Sequence, residues 1–142
     1  MKNTLLVSLI VFFVSCNTMQ NNTKPQLLNN QTFKLTEIST DPTYGTEKNP
    51  IKVGGAKDQE GPLNERRFLN ALAGPNGQKV SYNRRGSCCP FSSKNGFMGT
   101  GMLDVYEVTW KGSTDTVDIY INMYDSDYLK APMGFTIKKF AM

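Results

Sequence analysis

The chain has 142 residues, with 16 Lys and Arg against 12 Asp and Glu, a formal charge of +4 and no histidine. A mild positive balance spread along the chain is not a nucleic-acid footprint. The missing histidine removes the commonest general base, the usual activator of a nucleophile and the commonest metal ligand. An enzyme built on this chain would have to work with carboxylates, tyrosines, lysines and cysteines. A non-enzymatic role is therefore the expectation, with no cofactor and no metal.

The chain opens with an export signal. Met1-Lys2-Asn3 precedes an apolar run over residues 5–14, and Val14-Ser15 lead into Cys16. A basic start, an apolar stretch and small residues before a cleavage point mark a secretory signal. The run is too short to cross a bilayer, which takes about 20 apolar residues. A cysteine directly after the small residues makes it a lipoprotein signal. Phe13-Val14-Ser15-Cys16 resembles the bacterial lipobox, except that Phe13 stands where an aliphatic residue is usual. Residues 1–15 are expected to be removed and Cys16 acylated, with the more than one acyl chain that stable anchoring needs. Residues 16–30 follow as a tether, polar and free of aromatics over 17–26, unable to bury a core. Residues 31–142 form a single globular domain. The expected address is the cell envelope, on the outer membrane facing the periplasm.

Residues 32–38 alternate apolar and polar, the period of a half-buried strand. Residues 40–49 read as a loop with Asp41-Pro42 and Gly45, and residues 50–55 as a short strand entering a Gly54-Gly55 turn. The best helix spans residues 62–73, with Pro62 at its first position and Gly74-Pro75 closing it. Phe68, Leu69 and Leu72 form its apolar stripe, with Glu65 on the same face and Arg66, Arg67 and Asn70 pointing away. Residues 79–82 read as a strand entered through Asn76-Gly77. Residues 103–110 and 116–124 are the clearest strands, joined by a hairpin-length loop over 111–115. In the second, Val117, Ile119, Ile121 and Met123 line one face, and Asp118, Tyr120, Asn122 and Tyr124 the other. A last strand covers residues 134–140. The sum is an α+β domain, an antiparallel sheet of about five strands with one covering helix.

Cys88-Cys89 is the unusual local feature. Adjacent Cα atoms lie about 3.8 Å apart, closer than the usual disulfide range of about 4.4–6.8 Å. An exported address favours oxidation. The leading reading is a structural pair, either a vicinal disulfide fixing a loop or two buried thiols. The others are a rigid turn that contacts a ligand, a redox pair with Arg84 and Arg85 lowering a thiol pKa, and a half-site for a soft metal. The spacing is not that of a zinc or thioredoxin motif. Glu65 is a candidate buried acid/base carboxylate. The leading reading places it in the first helical turn, complementing the dipole. The glycine-rich stretch over 96–101 lacks the Lys-Ser/Thr of a phosphate loop and reads as a turn or bulge. Asp125-Ser126-Asp127 offers too few oxygens for calcium and reads as the polar end of a strand. Tyr82, Arg84, Arg85, Tyr106, Tyr120 and Tyr124 are expected to share an exposed face suited to an anionic or sugar-like ligand.

Four stretches carry a resemblance: Tyr44-Gly45-Thr46-Glu47 running to Gly54-Gly55, Gly61-Pro62-Leu63-Asn64-Glu65-Arg66-Arg67-Phe68 running to Leu72, Gly86-Ser87-Cys88-Cys89-Pro90-Phe91, and Tyr120-Ile121-Asn122-Met123-Tyr124-Asp125. Over residues 41–136 the chain resembles a family of small exported or lipid-anchored bacterial proteins with no established activity. Some relatives carry the label 2-dehydro-3-deoxyphosphooctonate aldolase. That enzyme is a (β/α)₈ barrel of about 250 residues acting on cytosolic phosphorylated substrates, and an exported chain with one good helix does not match it. The resemblance brings no catalytic residues. The expected function is a lipid-anchored, non-enzymatic binding or structural module of the Gram-negative envelope. Its partners would be the membrane, through the lipid, and an envelope protein or glycan met by a turn over 84–91 and the aromatic strand face. The alternative is an envelope thiol/disulfide protein cycling Cys88 and Cys89, with a hydrolytic enzyme third.

Overall fold

The computed structural model describes residues 24–140. The expected export signal and the expected acylation at Cys16 lie outside the described residues. In chain order the elements are β1 (Leu27–Asn29), β2 (Thr32–Phe33), β3 (Ile51–Lys52), a 3-10 turn (Ala56–Asp58), α1 (Gly61–Leu69), β4 (Leu72–Ala73), β5 (Val80–Phe97), β6 (Thr100–Trp110), β7 (Val117–Asn122) and β8 (Thr136–Ile137).

The class is α+β, but the main sheet has four strands in the order β3-β7-β6-β5 and is mixed, not an antiparallel sheet of about five. β5–β6 and β6–β7 run antiparallel, while β3 lies parallel to β7 with Ile51 opposite Ile121. Alternation shows which face of a strand is buried but not which way its neighbour runs, so the parallel edge had no local signal. The other expected strands sit outside this sheet. Only Thr32–Phe33 of residues 32–38 pairs as a strand, with β1, which uses the last residues of the segment read as a tether. Ile38 makes a single bridge to Ala131. The C-terminal strand shrinks to β8 and pairs with β4.

α1 begins one residue early, at Gly61, for a steric reason. A Cβ there would stand 2.7 Å from Met123 Sδ, so the helix start can lie this close to the end of β7 only with glycine. Pro62 then occupies the first turn, where its missing N–H is no loss. The helix stops at Leu69, short of the expected residue 73. Lys138 N–H donates to Ala71 O at 2.8 Å and Leu72 pairs with Ile137, so the tail of the apolar stripe is pulled into β4. Its burial is as expected: Phe68, Leu69 and Leu72 join Ile51, Val108, Ile119 and Ile121 in one core.

The largest departure is β5. Residues 84–91 are not a turn. They continue a strand of 18 residues that pairs with β6 from Val80 opposite Trp110 to Phe97 opposite Thr100. Three register shifts interrupt the ladder: those between Arg84 and Gly86 and between Cys88 and Pro90 leave Arg85 and Cys89 as extra residues, and a wider one lies between Ser92 and Phe97. Such bulges break the two-residue period and re-aim side chains, which is why Asn83-Arg84-Arg85-Gly86-Ser87-Cys88-Cys89-Pro90 carries no strand pattern.

Candidate functional site

β6 pairs with β7 only from Asp104 to Val108. Beyond that point β5 and β6 continue together as a two-stranded arm. At its tip Met98 and Gly99 have φ of 51° and 79°, the two positive values that a tight type I′ hairpin turn requires. The glycine-rich stretch is thus a hairpin tip, as its turn reading implies. Phe97 and Met98 on that tip are 83% and 87% exposed.

Residues just after β7 brace the arm. Phe91 meets Tyr124 edge to face, with ring centroids 6.0 Å apart. Gly101 opposite Phe91 has no room for a side chain, since a Cβ would fall 2.6 Å from Phe91 Cζ and 2.8 Å from Tyr124 Cδ2. Ser93 Oγ and Asn95 Nδ2 donate to Asp125 Oδ1 at 2.6 and 3.0 Å, and Asn122 Nδ2 donates to Asp125 Oδ2 at 3.0 Å. Burial pushes the Asp125 carboxyl up, but these bonds outweigh it and hold it below its ordinary value. The polar end of the strand is therefore the clasp of the arm, a role with no signal in the sequence.

Cys88 and Cys89 form a vicinal disulfide with Cα atoms 3.7 Å apart. It sits in the second bulge, where Cys89 takes a φ of 56°, a left-handed conformation unusual for a residue with a Cβ. Both cysteines are half-buried. Neither upstream arginine is spare to act on them. Arg84 donates to both oxygens of Asp104, at 3.1 and 2.9 Å. Arg85 donates to Asp118 at 2.8 Å and lies 3.4 Å from Glu107.

The tyrosines and arginines do not form one exposed face. Arg84 and Tyr106 are cross-strand partners on the core side, while Tyr120 lies opposite Val105 on the other side. Tyr106 is buried, Tyr124 stands at the base of the arm, and Tyr82 donates its hydroxyl to Asn70 Oδ1 at 2.9 Å. The β6–β7 register separates them: it sets Tyr106 opposite Ile119 and Tyr120 opposite Val105, on alternate faces of the sheet.

Glu65 is fully buried. It is the fifth residue of α1, past the first turn, so the dipole reading fails. Its Oε2 accepts from Tyr106 Oη at 2.8 Å, and its Oε1 has no hydrogen-bond partner among the described residues. Burial pushes this carboxyl up to about 8. The Tyr106 bond opposes the shift and the negative charge of Asp104 adds to it. Burial also raises Asp104, but the bonds from Arg84 and from Ser87 Oγ, at 2.6 Å, prevail and hold it below its ordinary value. At neutral pH, Glu65 carries a proton and Asp104 does not. Carboxyls whose environments push their pKa values apart are the pattern of an acid/base pair, yet such a group must touch its substrate. Glu65 exposes nothing, and Asp104 is covered by Arg84 and Ser87. The network pins α1 to β6 and β5.

Sequence reasoning also missed Arg67, expected to point away. It is buried, donating Nε to Asn30 O at 3.0 Å and Nη1 to Asn64 Oδ1 at 2.8 Å, and so ties the N-terminal hairpin to α1. Among the described residues no three His, Cys, Asp or Glu gather as a metal-holding set, and no helix is long and apolar enough to cross a membrane. No family model matches the chain, and no curated protein or solved structure shows detectable similarity to it.

Proposed function

We propose that the chain is a lipid-anchored, non-enzymatic domain of the cell envelope that binds a partner protein through the β5–β6 arm. The observation that carries this reading is the pair of large apolar side chains, Phe97 and Met98, held out in solvent at the tip. Burying a side chain of this size against a partner is worth about 1.5–3 kcal/mol, and exposed apolar clusters mark interaction sites. The Asp125 clasp, the Phe91–Tyr124 contact and the Cys88–Cys89 bulge hold the arm in one shape, which reduces the ordering lost on docking. The lipoprotein signal read at Cys16 supports the envelope address.

A photo-crosslinking residue placed at Met98 in the full chain, expressed in a Gram-negative cell, tests this. A discrete protein adduct formed from position 98, and not from the β6–β7 loop at Lys111, is expected. Adducts to phospholipid alone, or equal yields from both positions, would overturn the reading.

One observation favours a second reading, a thiol/disulfide protein: the Cys88–Cys89 bond lies half-exposed on the arm itself. Cys88→Ser with Cys89→Ser separates the two. The binding reading expects the Met98 adduct to persist at reduced yield in the folded variant, since the clasp and the Phe91–Tyr124 contact remain, and the thiol reading expects it to vanish.

A further inference from the structure

At the other end of β5 the four-stranded sheet stops at an open edge, and a cleft of about 550 Å³ lies between that edge and the β4–β8 ribbon. Its wall is apolar, with Leu72, Val80 and Ile137 beside the half-buried ring of Tyr82. Its charge is of one sign. Lys79, Lys138 and Lys139 line it, and none of the chain's 12 Asp and Glu does. None of the three lysines makes a salt bridge among the described residues. Gln78 adds a directional donor: its Oε1 accepts from Asn76 N–H at 2.8 Å, and its amide NH₂ makes no hydrogen bond among the described residues.

We infer that this cleft binds an anionic sugar, one bearing a phosphate or a carboxylate, free or as a unit of an envelope glycan. Three lysines, Lys138 with its ammonium 5.2 Å from the centre of the Phe140 ring, supply the attraction for the anion, with no Asp or Glu on the wall to compete for them. Tyr82 and the aliphatic wall supply a face on which a sugar ring can lie, and Gln78 reads a ring hydroxyl. A pocket of this size, mostly apolar with a few convergent polar groups, is the usual form of a small-molecule site. The cleft and the arm use opposite ends of β5 and share no side chain, so each stands without the other.

The test is calorimetric titration of the full chain in a non-sugar detergent. The probes are glucose 6-phosphate, galacturonate, a galacturonate trimer, glucose and inorganic phosphate. The sugar anions are expected to bind, glucose not to bind, and phosphate to bind at least tenfold more weakly than glucose 6-phosphate. The triple variant Lys79→Gln, Lys138→Gln, Lys139→Gln should lose at least tenfold for every sugar anion with an unchanged circular dichroism spectrum. Tyr82→Leu, which keeps the charges, should weaken the sugar anions and spare phosphate. A trimer tighter than the monomer supports a glycan as the source, and equal affinities a free sugar. Absence of binding by all sugar anions, affinities indifferent to the lysines, or phosphate as tight as glucose 6-phosphate would each overturn the assignment.

Discussion

Replacing Glu65 with glutamine is expected to stabilise the domain above neutral pH and leave it nearly unchanged in acid. Glu65 has an ordinary value of 4.5 and is raised to about 8 in the folded chain. A folded state that holds its proton more tightly than the unfolded one keeps this stability in full below 4.5 and loses it as pH rises toward 8. The slope within that window is about 1.4 kcal/mol per pH unit. Roughly 3.5 units of separation then amount to about 5 kcal/mol between the acid plateau and pH 8. That is a large share of the roughly 5–15 kcal/mol that holds a domain together. Glutamine fits the same space, and its amide oxygen can accept the Tyr106 hydroxyl without carrying an ionisable proton. Asp104 does not confuse the measurement. Its carboxyl is held below its ordinary 3.8, so the stability it contributes is lost only in strong acid. Urea unfolding followed through the single tryptophan, Trp110, at pH 5, 7 and 8.5 reads the effect directly. The unsubstituted chain should lose several kcal/mol across the series and Glu65→Gln should not. Equal slopes for the two proteins, or a flat profile for both, would refute the reasoning.

Arg84→Met leaves the buried Asp104 carboxylate with Ser87 as its remaining bond on that side and should destabilise by about 1.5–3 kcal/mol near pH 7, less in strong acid where Asp104 is protonated; urea midpoints at pH 7 and pH 2.5 check both. Gly101→Ala places a Cβ against Phe91 and Tyr124 and should cost about 1–3 kcal/mol. Amide exchange is expected to quicken across residues 88–103 more than in β7, and uniform exchange would count against the arm as a braced unit. Intact mass of protein taken from membranes should show an acyl adduct at Cys16 and no alkylation of Cys88 or Cys89 until a reductant is added; two thiols alkylated without reductant would contradict the disulfide.

Much of the architecture was legible because it is written in local periodicity. Gly61-Pro62 and the Phe68–Leu69–Leu72 stripe located the helix, and β-branched and aromatic alternation located β6 and β7 with their loop. The adjacent cysteines offered a vicinal disulfide or two buried thiols, and the structure shows the disulfide. The reach of β5 was hidden because bulges at Arg85 and Cys89 erase the period on which strand recognition depends. Leu72 was placed correctly as a buried residue and wrongly as a helical one, because burial depends on its own side chain and secondary structure on the backbone of Ile137, 65 positions away.

The amino-acid sequence by itself determined the class, the helix and the central strands, since each depends on neighbours a few positions apart. Only the tertiary structure decided that β3 joins parallel to β7, that Glu65 is sealed beside Tyr106 and Asp104, and that Asp125 clasps an arm tipped by Phe97 and Met98. It also gathered three lysines from two distant segments around one cleft. Those features are made by residues from 10 to 70 positions apart, from Phe91 opposite Gly101 in the arm to Ile51 opposite Ile121 at the parallel edge. Nothing in a local pattern encodes which distant group will arrive to share a proton, a charge or a surface.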